Sequence, residues 1–115
     1  MRIKPLEAGD RQWDLKAGFA ADGTRMVSLR DLVSKATRTL STDALTRAQR
    51  RDLTLERLRR FPKYKLIVLG RSKPVLKDQA LKEIQKGTPL GQFLIETEQN
   101  IIRLFQIRAR ATLRR

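Results

Sequence analysis

The chain of 115 residues contains no cysteine and no histidine. Zinc, haem and iron–sulfur centres depend on thiolate or imidazole ligands that this chain lacks. Nucleophilic catalysis of the Ser-His-Asp or Cys-His type is excluded for the same reason. We therefore expect no cofactor and no metal. The absence of cysteine also agrees with a cytoplasmic location.

Long apolar runs and grouped acidic residues are missing as well. No run approaches the roughly 18 apolar residues of a membrane span. General acid–base catalysis needs acidic or histidine side chains gathered in one pocket, whereas the 12 acidic residues here are dispersed. Asp52 and Glu56 share a helix face suited to ion pairing, and Glu96 and Glu98 point to different sides of a helix. We predict that the protein is not an enzyme.

Positive charge is abundant and concentrated. The chain has 26 basic and 12 acidic residues, a net charge of +14. Residues 47–77 hold eleven basic side chains against two acidic ones, and residues 103–115 hold five arginines and no acid. A surface built only for solubility intersperses both signs. This distribution is typical of a protein that binds a polyanion.

Nucleic acid is the polyanion that the composition favours. Arginine outnumbers lysine by 17 to 9, and its planar guanidinium binds phosphate bidentately. Aromatic residues are few, which favours contact with the phosphate backbone over stacking on bases. We predict binding of DNA or RNA by a free-standing protein, a homodimer or a subunit of a larger nucleoprotein complex. A membrane surface or an acidic protein is the open alternative. The predicted nucleic-acid-binding residues are Arg47, Arg50, Arg51, Arg57, Arg59, Arg60, Lys63, Lys65, Arg71, Lys73, Arg108, Arg110, Arg114 and Arg115.

Two helices are predicted in the first half of the chain. The spacing of Ser28 and Asp31 matches a capping box, and an apolar stripe follows it. That stripe consists of Leu29, Leu32, Val33, Ala36 and Leu40. A second helix is predicted from a Ser41/Thr42 cap to about Phe61, before Pro62. On it, the 100° spacing places Arg50, Arg57 and Arg60 on a side facing solvent.

The segment Lys63–Gly70 predicts a strand, because it is apolar, β-branched and bounded by proline and glycine. Its four consecutive apolar residues indicate burial on both faces. A strand needs partners for its backbone groups. The candidates are short strands at Arg2–Leu6 and Thr24–Val27, or a second copy of the chain.

Two further helices are predicted to follow. Gly87 has the position of a C′ residue, and Thr88 with Pro89 has the pattern of a helix start. The last helix is expected to form the centre of the core through Leu90, Leu94, Thr97, Ile101, Leu104 and Phe105. The predicted fold is α+β and predominantly helical, with about four helices and a small sheet around strand 63–70. It forms one domain, 1–115, with a basic extension from about residue 106.

Two local resemblances supply alternatives. The helix, Gly87 turn and helix of residues 81–96 resemble the helix-turn-helix of DNA-binding regulators. That resemblance implies a second helix that enters the major groove, although residues 88–102 contain no Lys or Arg. Leu69–Pro74 followed by Thr88–Gly91 is similar to the C-terminal half of chorismate–pyruvate lyases, which are α+β enzymes. This resemblance implies a dicarboxylate held by basic side chains without a metal.

Overall fold

A computed structural model describes residues 4–34, 38–61, 65–67, 70 and 72–113. It confirms a predominantly helical α+β fold, and these residues form four α-helices and two small antiparallel sheets of two strands each. In chain order the elements are β1 (Lys16–Phe19), β2 (Met26–Ser28), α1 (Leu29–Ser34), α2 (Arg47–Arg60), β3 (Lys65–Leu66), β4 (Val75–Leu76), α3 (Lys77–Lys86) and α4 (Pro89–Leu113).

The first sheet is a hairpin of β1 and β2. Its turn contains Gly23 at φ +77°, a conformation that glycine adopts without steric cost. The Asp22 carboxylate accepts a hydrogen bond from the Thr24 backbone N–H at 2.9 Å, and this bond lowers the pKa of Asp22. The strand predicted at 24–27 is therefore displaced to Met26–Ser28. The strand predicted at 2–6 is wrong for residues 4–6, and its first two residues lie outside the described part of the chain.

Helix α1 begins as the sequence predicts and ends earlier. The Ser28 hydroxyl accepts from the Asp31 N–H at 3.1 Å, and the Asp31 carboxylate accepts from the Ser28 N–H at 3.4 Å. The predicted continuation of its stripe to Leu40 is wrong. Leu40 donates its backbone N–H to the Phe19 carbonyl at 3.0 Å, and Thr39 forms an antiparallel bridge with Ala20, so this segment pairs with the end of β1. Ala36 lies outside the described residues.

Helix α2 starts at Arg47, five residues after the predicted cap. Thr46 and Gln49 form the capping box: the Gln49 N–H donates to the Thr46 hydroxyl at 3.1 Å, and the Thr46 N–H donates to the Gln49 side chain at 2.8 Å. Residues 42–44 form a single 3₁₀ turn instead. The predicted end before Pro62 is confirmed at Arg60.

Of the predicted strand at 63–70, the described residues contain β3, which pairs with β4 and with none of the described N-terminal residues. Residues 62–64, 68, 69 and 71 lie outside the described part of the chain. Ile67 is largely exposed, so burial of the whole apolar run on both faces is wrong. One side of this hairpin is covered, because Val75 belongs to the cluster that contains Leu58 of α2 and Ala80 of α3, and the partly buried Leu66 packs against it.

Helices α3 and α4 form a tight hairpin. Gly87 at φ +69° ends α3, and the Gly91 N–H donates to the Thr88 hydroxyl at 3.1 Å, so both predicted caps are confirmed. Gly91 lies against α3 so closely that a Cβ there would overlap the Glu83 carbonyl oxygen. This contact sets the approach of the two helices.

Helix α4 spans both hydrophobic clusters of the core, one containing Leu53 and Ile102 and the other containing Leu94. The predicted core face of α4 is partly wrong, because Ile101 and Leu104 are exposed. The buried line instead consists of Gly91, Leu94, Ile95, Gln99, Ile102, Gln106 and Ala109. The expected basic extension from residue 106 is thus a continuation of the packed helix as far as it is described. In the described ranges no helix combines the length and apolarity needed to cross a membrane.

Candidate functional site

A polar groove of about 630 Å³ lies between the start of α2, the end of α3 and the middle of α4. Five cationic side chains line it against two carboxylates, and amide side chains complete much of the wall. The cationic residues are Arg47, Arg50, Arg51, Lys86 and Arg103; the acidic ones are Asp43 and Glu96; the amides are Gln85, Gln92, Gln99 and Asn100.

The start of α2 is an unusual place for arginine. Arg47, Arg50 and Arg51 occupy its first turns, and its first turn has no acidic residue. Cations at a helix N-terminus oppose the helix dipole, at a cost of up to about 1 kcal/mol each. Because this effect falls off within the first turn, it applies mainly to Arg47, which does not stabilise the helix through its dipole. Together with the positive end of the helix, the three arginines form a wall that attracts anions.

The turn at residues 42–44 holds two guanidinium groups beside each other. Arg50 donates from Nη2 to the Thr42 carbonyl at 3.1 Å, and Arg103 donates from Nε to the Thr42 hydroxyl at 3.0 Å. Arg103 also pairs with Asp43 at 2.7 Å. Both members of that pair are exposed, so its contribution to stability is small. Its effect is to fix the direction of the Arg103 side chain.

Two polar atoms in the groove wall lack partners. Gln99 is 5% exposed, and its Nε2 donates to the Thr54 hydroxyl at 3.3 Å and the Arg50 carbonyl at 3.4 Å. Two acceptors around Nε2 fix the orientation of the amide, which leaves Oε1 on the other side. Within the described part of the chain, Gln99 Oε1 and Arg50 Nε are the buried side-chain polar atoms without a hydrogen-bond partner. An unpaired buried group costs about 1–3 kcal/mol, so the wall carries an unused donor and an unused acceptor.

Arg57 corrects the predicted arginine face of α2. Its side chain has no exposed surface: Nε donates to Glu98 at 2.6 Å, Nη1 to the Lys16 carbonyl at 3.0 Å and Nη2 to Gln12 at 2.7 Å. The prediction that it faces solvent with Arg50 and Arg60 is wrong, because acceptors from β1, α4 and the N-terminal segment surround it. Arg57 ties these elements together and is unavailable to a partner.

The other predicted residues are dispersed. Arg59 and Arg60 are exposed at the far end of α2, where Arg60 pairs with Glu56 at 3.0 Å, and Lys65 and Lys73 are exposed at the second hairpin. Arg108 and Arg110 lie near the end of α4. Lys63, Arg71, Arg114 and Arg115 lie outside the described residues.

The groove thus brings together three of the predicted residues, Arg47, Arg50 and Arg51. Sequence reasoning missed Lys86 and Gln99, and it left Arg103 out of the binding set. Lys86 belongs to a segment of negative local net charge, and an amide inside an amphipathic helix gives no signal. Lys86, Gln99 and Arg103 come together in the groove only because α3 and α4 pack on α2.

Comparison with protein-family models, with curated proteins and with solved structures finds no match for this chain. Function is therefore inferred from the chain's own residues. The groove combines an excess of guanidinium groups, a helix N-terminus and amide side chains. Chemically, this arrangement can hold phosphate or carboxylate oxygens and form hydrogen bonds with neighbouring polar atoms.

Proposed function

We propose that the protein binds nucleic acid without catalysis, through the groove and the exposed basic residues around it. The observation that carries this proposal is the cationic start of α2, where three arginines line one groove with Lys86 and Arg103. One of the two carboxylates in the groove, Asp43, is already paired with Arg103. Five cations against two carboxylates give the groove lining a net charge of +3, and Arg51 also pairs with Asp52 at 3.3 Å. A phosphate backbone is a partner that neutralises such an excess.

The lining favours contact with phosphates over reading of bases. No aromatic side chain lines the groove in the part of the chain that the structure describes, so it offers no stacking surface. A helix-turn-helix regulator would present its second helix to the major groove. Here residues 88–102 carry no Lys or Arg, and Leu94 and Ile95 of α4 are buried in the core. The cations come from three helices, an arrangement that supports recognition of shape and charge in DNA or RNA.

An enzyme that holds a small dicarboxylate is the alternative from the second resemblance. A groove of this volume is within the range of small-molecule sites. However, none of the described residues that carry the resemblance, Gly70, Ser72–Pro74 and Thr88–Gly91, lines it. The groove therefore supports nucleic acid better. The proposal includes a cytoplasmic location.

The proposal is tested by measuring affinity for a fluorescent duplex at several salt concentrations, after nuclease treatment and removal of the nuclease. If all five groove cations contact phosphates, log affinity falls with log salt at a slope of about −4.5, since each contact contributes roughly −0.9. Affinity that hardly changes with salt would contradict the proposal. Displacement of the duplex by succinate at constant ionic strength would instead favour the dicarboxylate site.

A further inference from the structure

An apolar stripe runs along the outside of α4. Its members are Phe93 at 48% exposure, Ile101 at 38%, Leu104 at 54% and Ile107 at 40%. At 100° per residue they lie within about 120° of the helix circumference. Thr97 and Asn100 lie on the same face between Phe93 and Ile101. Isolated apolar residues on a surface are ordinary, whereas four large ones grouped on one helix face mark an interaction surface. The stripe extends for about 21 Å, since each residue of a helix rises 1.5 Å.

Charge is divided along the same helix. Residues 89–102 contain Glu96 and Glu98 and no basic residue, whereas residues 103–113 contain three arginines and no acid. Arg103, Arg108 and Arg110 are these arginines. Glu98 is already paired with the buried Arg57 of its own chain, so the exposed Glu96 is the acid that this half offers to a partner. A second copy of α4 in the antiparallel direction would place Glu96 of each copy beside the basic half of the other. In the parallel direction each basic half would lie beside the other basic half, without an acidic partner.

We propose that two copies of the chain associate through this stripe, with their α4 helices antiparallel. We choose a second copy as the partner because, across a two-fold axis, the apolar face of α4 can pack on the same face of the other copy, with opposite charges beside each other. Phe93 of one copy lies opposite Leu104 of the other, and the two-fold axis passes near residue 99. The same register places Glu96 near Arg103 of the second copy. Arg103 uses only Nε and Nη2 in its bonds to Thr42 and Asp43, so donors remain for this contact.

The arrangement has a consequence for the groove. Glu96, Asn100 and Arg103 line the groove and also border the stripe, so the groove follows one flank of it. In an antiparallel pair with a two-fold axis perpendicular to the helices, the same flank of each copy lies on the same side. Both grooves then open in one direction, and a single duplex could span them. This consequence rests on the proposed function, whereas the association itself does not.

Disulfide trapping tests the direction of the helices. The native chain has no cysteine, so introduced cysteines form the only disulfides. Phe93→Cys and Leu104→Cys proteins are oxidised with copper–phenanthroline, separately and as a mixture, without nucleic acid. The antiparallel pair predicts a cross-linked heterodimer in the mixture and little cross-linking in either protein alone. Cross-linking of each variant with itself would show a parallel pair and overturn the proposal, as would the absence of any cross-link.

Sedimentation of nuclease-treated protein tests the stripe without a covalent bond. The wild-type chain is expected to dimerise, and Leu104→Asp to weaken the dimer at least about tenfold, because a charge would be buried in the interface. Leu76→Asp is the matched control, since Leu76 is equally exposed but lies on β4. A monomeric wild-type chain, or equal effects of the two variants, would overturn the proposal. Leu76 and Leu104 are both exposed, so both variants are expected to fold, and thermal melting is the check. Nucleic acid is absent from both experiments, so a monomeric result would overturn the dimer and leave the proposed nucleic-acid binding untouched. A failure to bind nucleic acid would likewise leave the dimer untouched.

Discussion

Replacing Arg57 by methionine is expected to destabilise the protein strongly. The guanidinium has no exposed surface, and it supplies donors to Glu98, to the Lys16 carbonyl and to Gln12. Methionine fills much of the same volume and donates nothing. The substitution therefore leaves one carboxylate and two neutral oxygens without their partner.

The magnitude follows from those three acceptors. Removing one member of a buried ion pair costs about 3–5 kcal/mol, because the other charge is left uncompensated. The Glu98 side chain retains 20% exposure and regains some hydration, so we expect the lower end, about 3 kcal/mol. For a domain of this length each kcal/mol lowers Tm by about 4 °C. The expected loss is therefore about 12 °C.

The assay is thermal unfolding followed by circular dichroism, with Arg59→Met as the matched control. Arg59 is two residues away on the same helix and exposed, so its replacement is expected to cost less than about 0.5 kcal/mol. The double variant Arg57→Met/Glu98→Leu removes both charges and is expected to regain part of the lost stability. Equal Tm values for the Arg57 and Arg59 variants would refute the buried network.

Two further substitutions probe the packing of α4. Leu94→Ala is expected to lower the free energy of unfolding by about 2–5 kcal/mol, because Leu94 is buried. Leu104→Ala should lower it much less in the monomer, because Leu104 is exposed. Both values are measured by urea denaturation at low protein concentration. Gly91→Ala should lower Tm even though alanine is the better helix former by about 1 kcal/mol, because its Cβ would overlap the Glu83 carbonyl oxygen of α3. A rise in Tm for Gly91→Ala would contradict the close approach of α3 and α4.

The features that could be predicted are those decided by neighbouring residues. The Ser28–Asp31 capping box, the Gly87 C′ position and the Thr88 cap all form as predicted. Each depends on a hydrogen bond or a backbone angle within a few residues, which the sequence displays directly. The start of α2 was misplaced because Thr42 and Thr46 both resemble caps, and only the latter has Gln49 to complete the box.

The side of α4 that packs against the core could not be predicted, because glutamine amides take the place of apolar residues on that side. Gln99 donates to Thr54, 45 residues away, and Gln106 donates to the Ala17 carbonyl, 89 residues away, at 2.7 Å. These partners make burial of an amide favourable, and no local pattern reveals them. With the amides inside, Ile101 and Leu104 of the apolar pattern face outward.

The candidate site was predicted in part for the same reason. Charge density identified Arg47, Arg50 and Arg51, since their clustering is visible in the sequence. It also included Arg57, because the acceptors that bury this side chain come from distant segments. Lys86 and Arg103 join the groove through the packing of α3 and α4. The assembly of the groove is thus a tertiary property.

The central claim is that binding is localised in the groove and is not a diffuse effect of net charge. Two triple variants separate these cases, since each removes three exposed positive charges. The groove variant carries Arg47→Gln, Arg51→Gln and Lys86→Gln; the control variant carries Lys4→Gln, Arg11→Gln and Lys82→Gln, none of which lines the groove.

The most direct measurement is the affinity of both variants and the wild-type chain for one duplex across a range of salt concentrations. The groove variant is expected to lose affinity, with the slope of log affinity against log salt becoming shallower by about 2.7, which corresponds to three phosphate contacts. The control variant should retain nearly the wild-type slope. Equal losses of affinity and slope in the two variants would contradict a localised site.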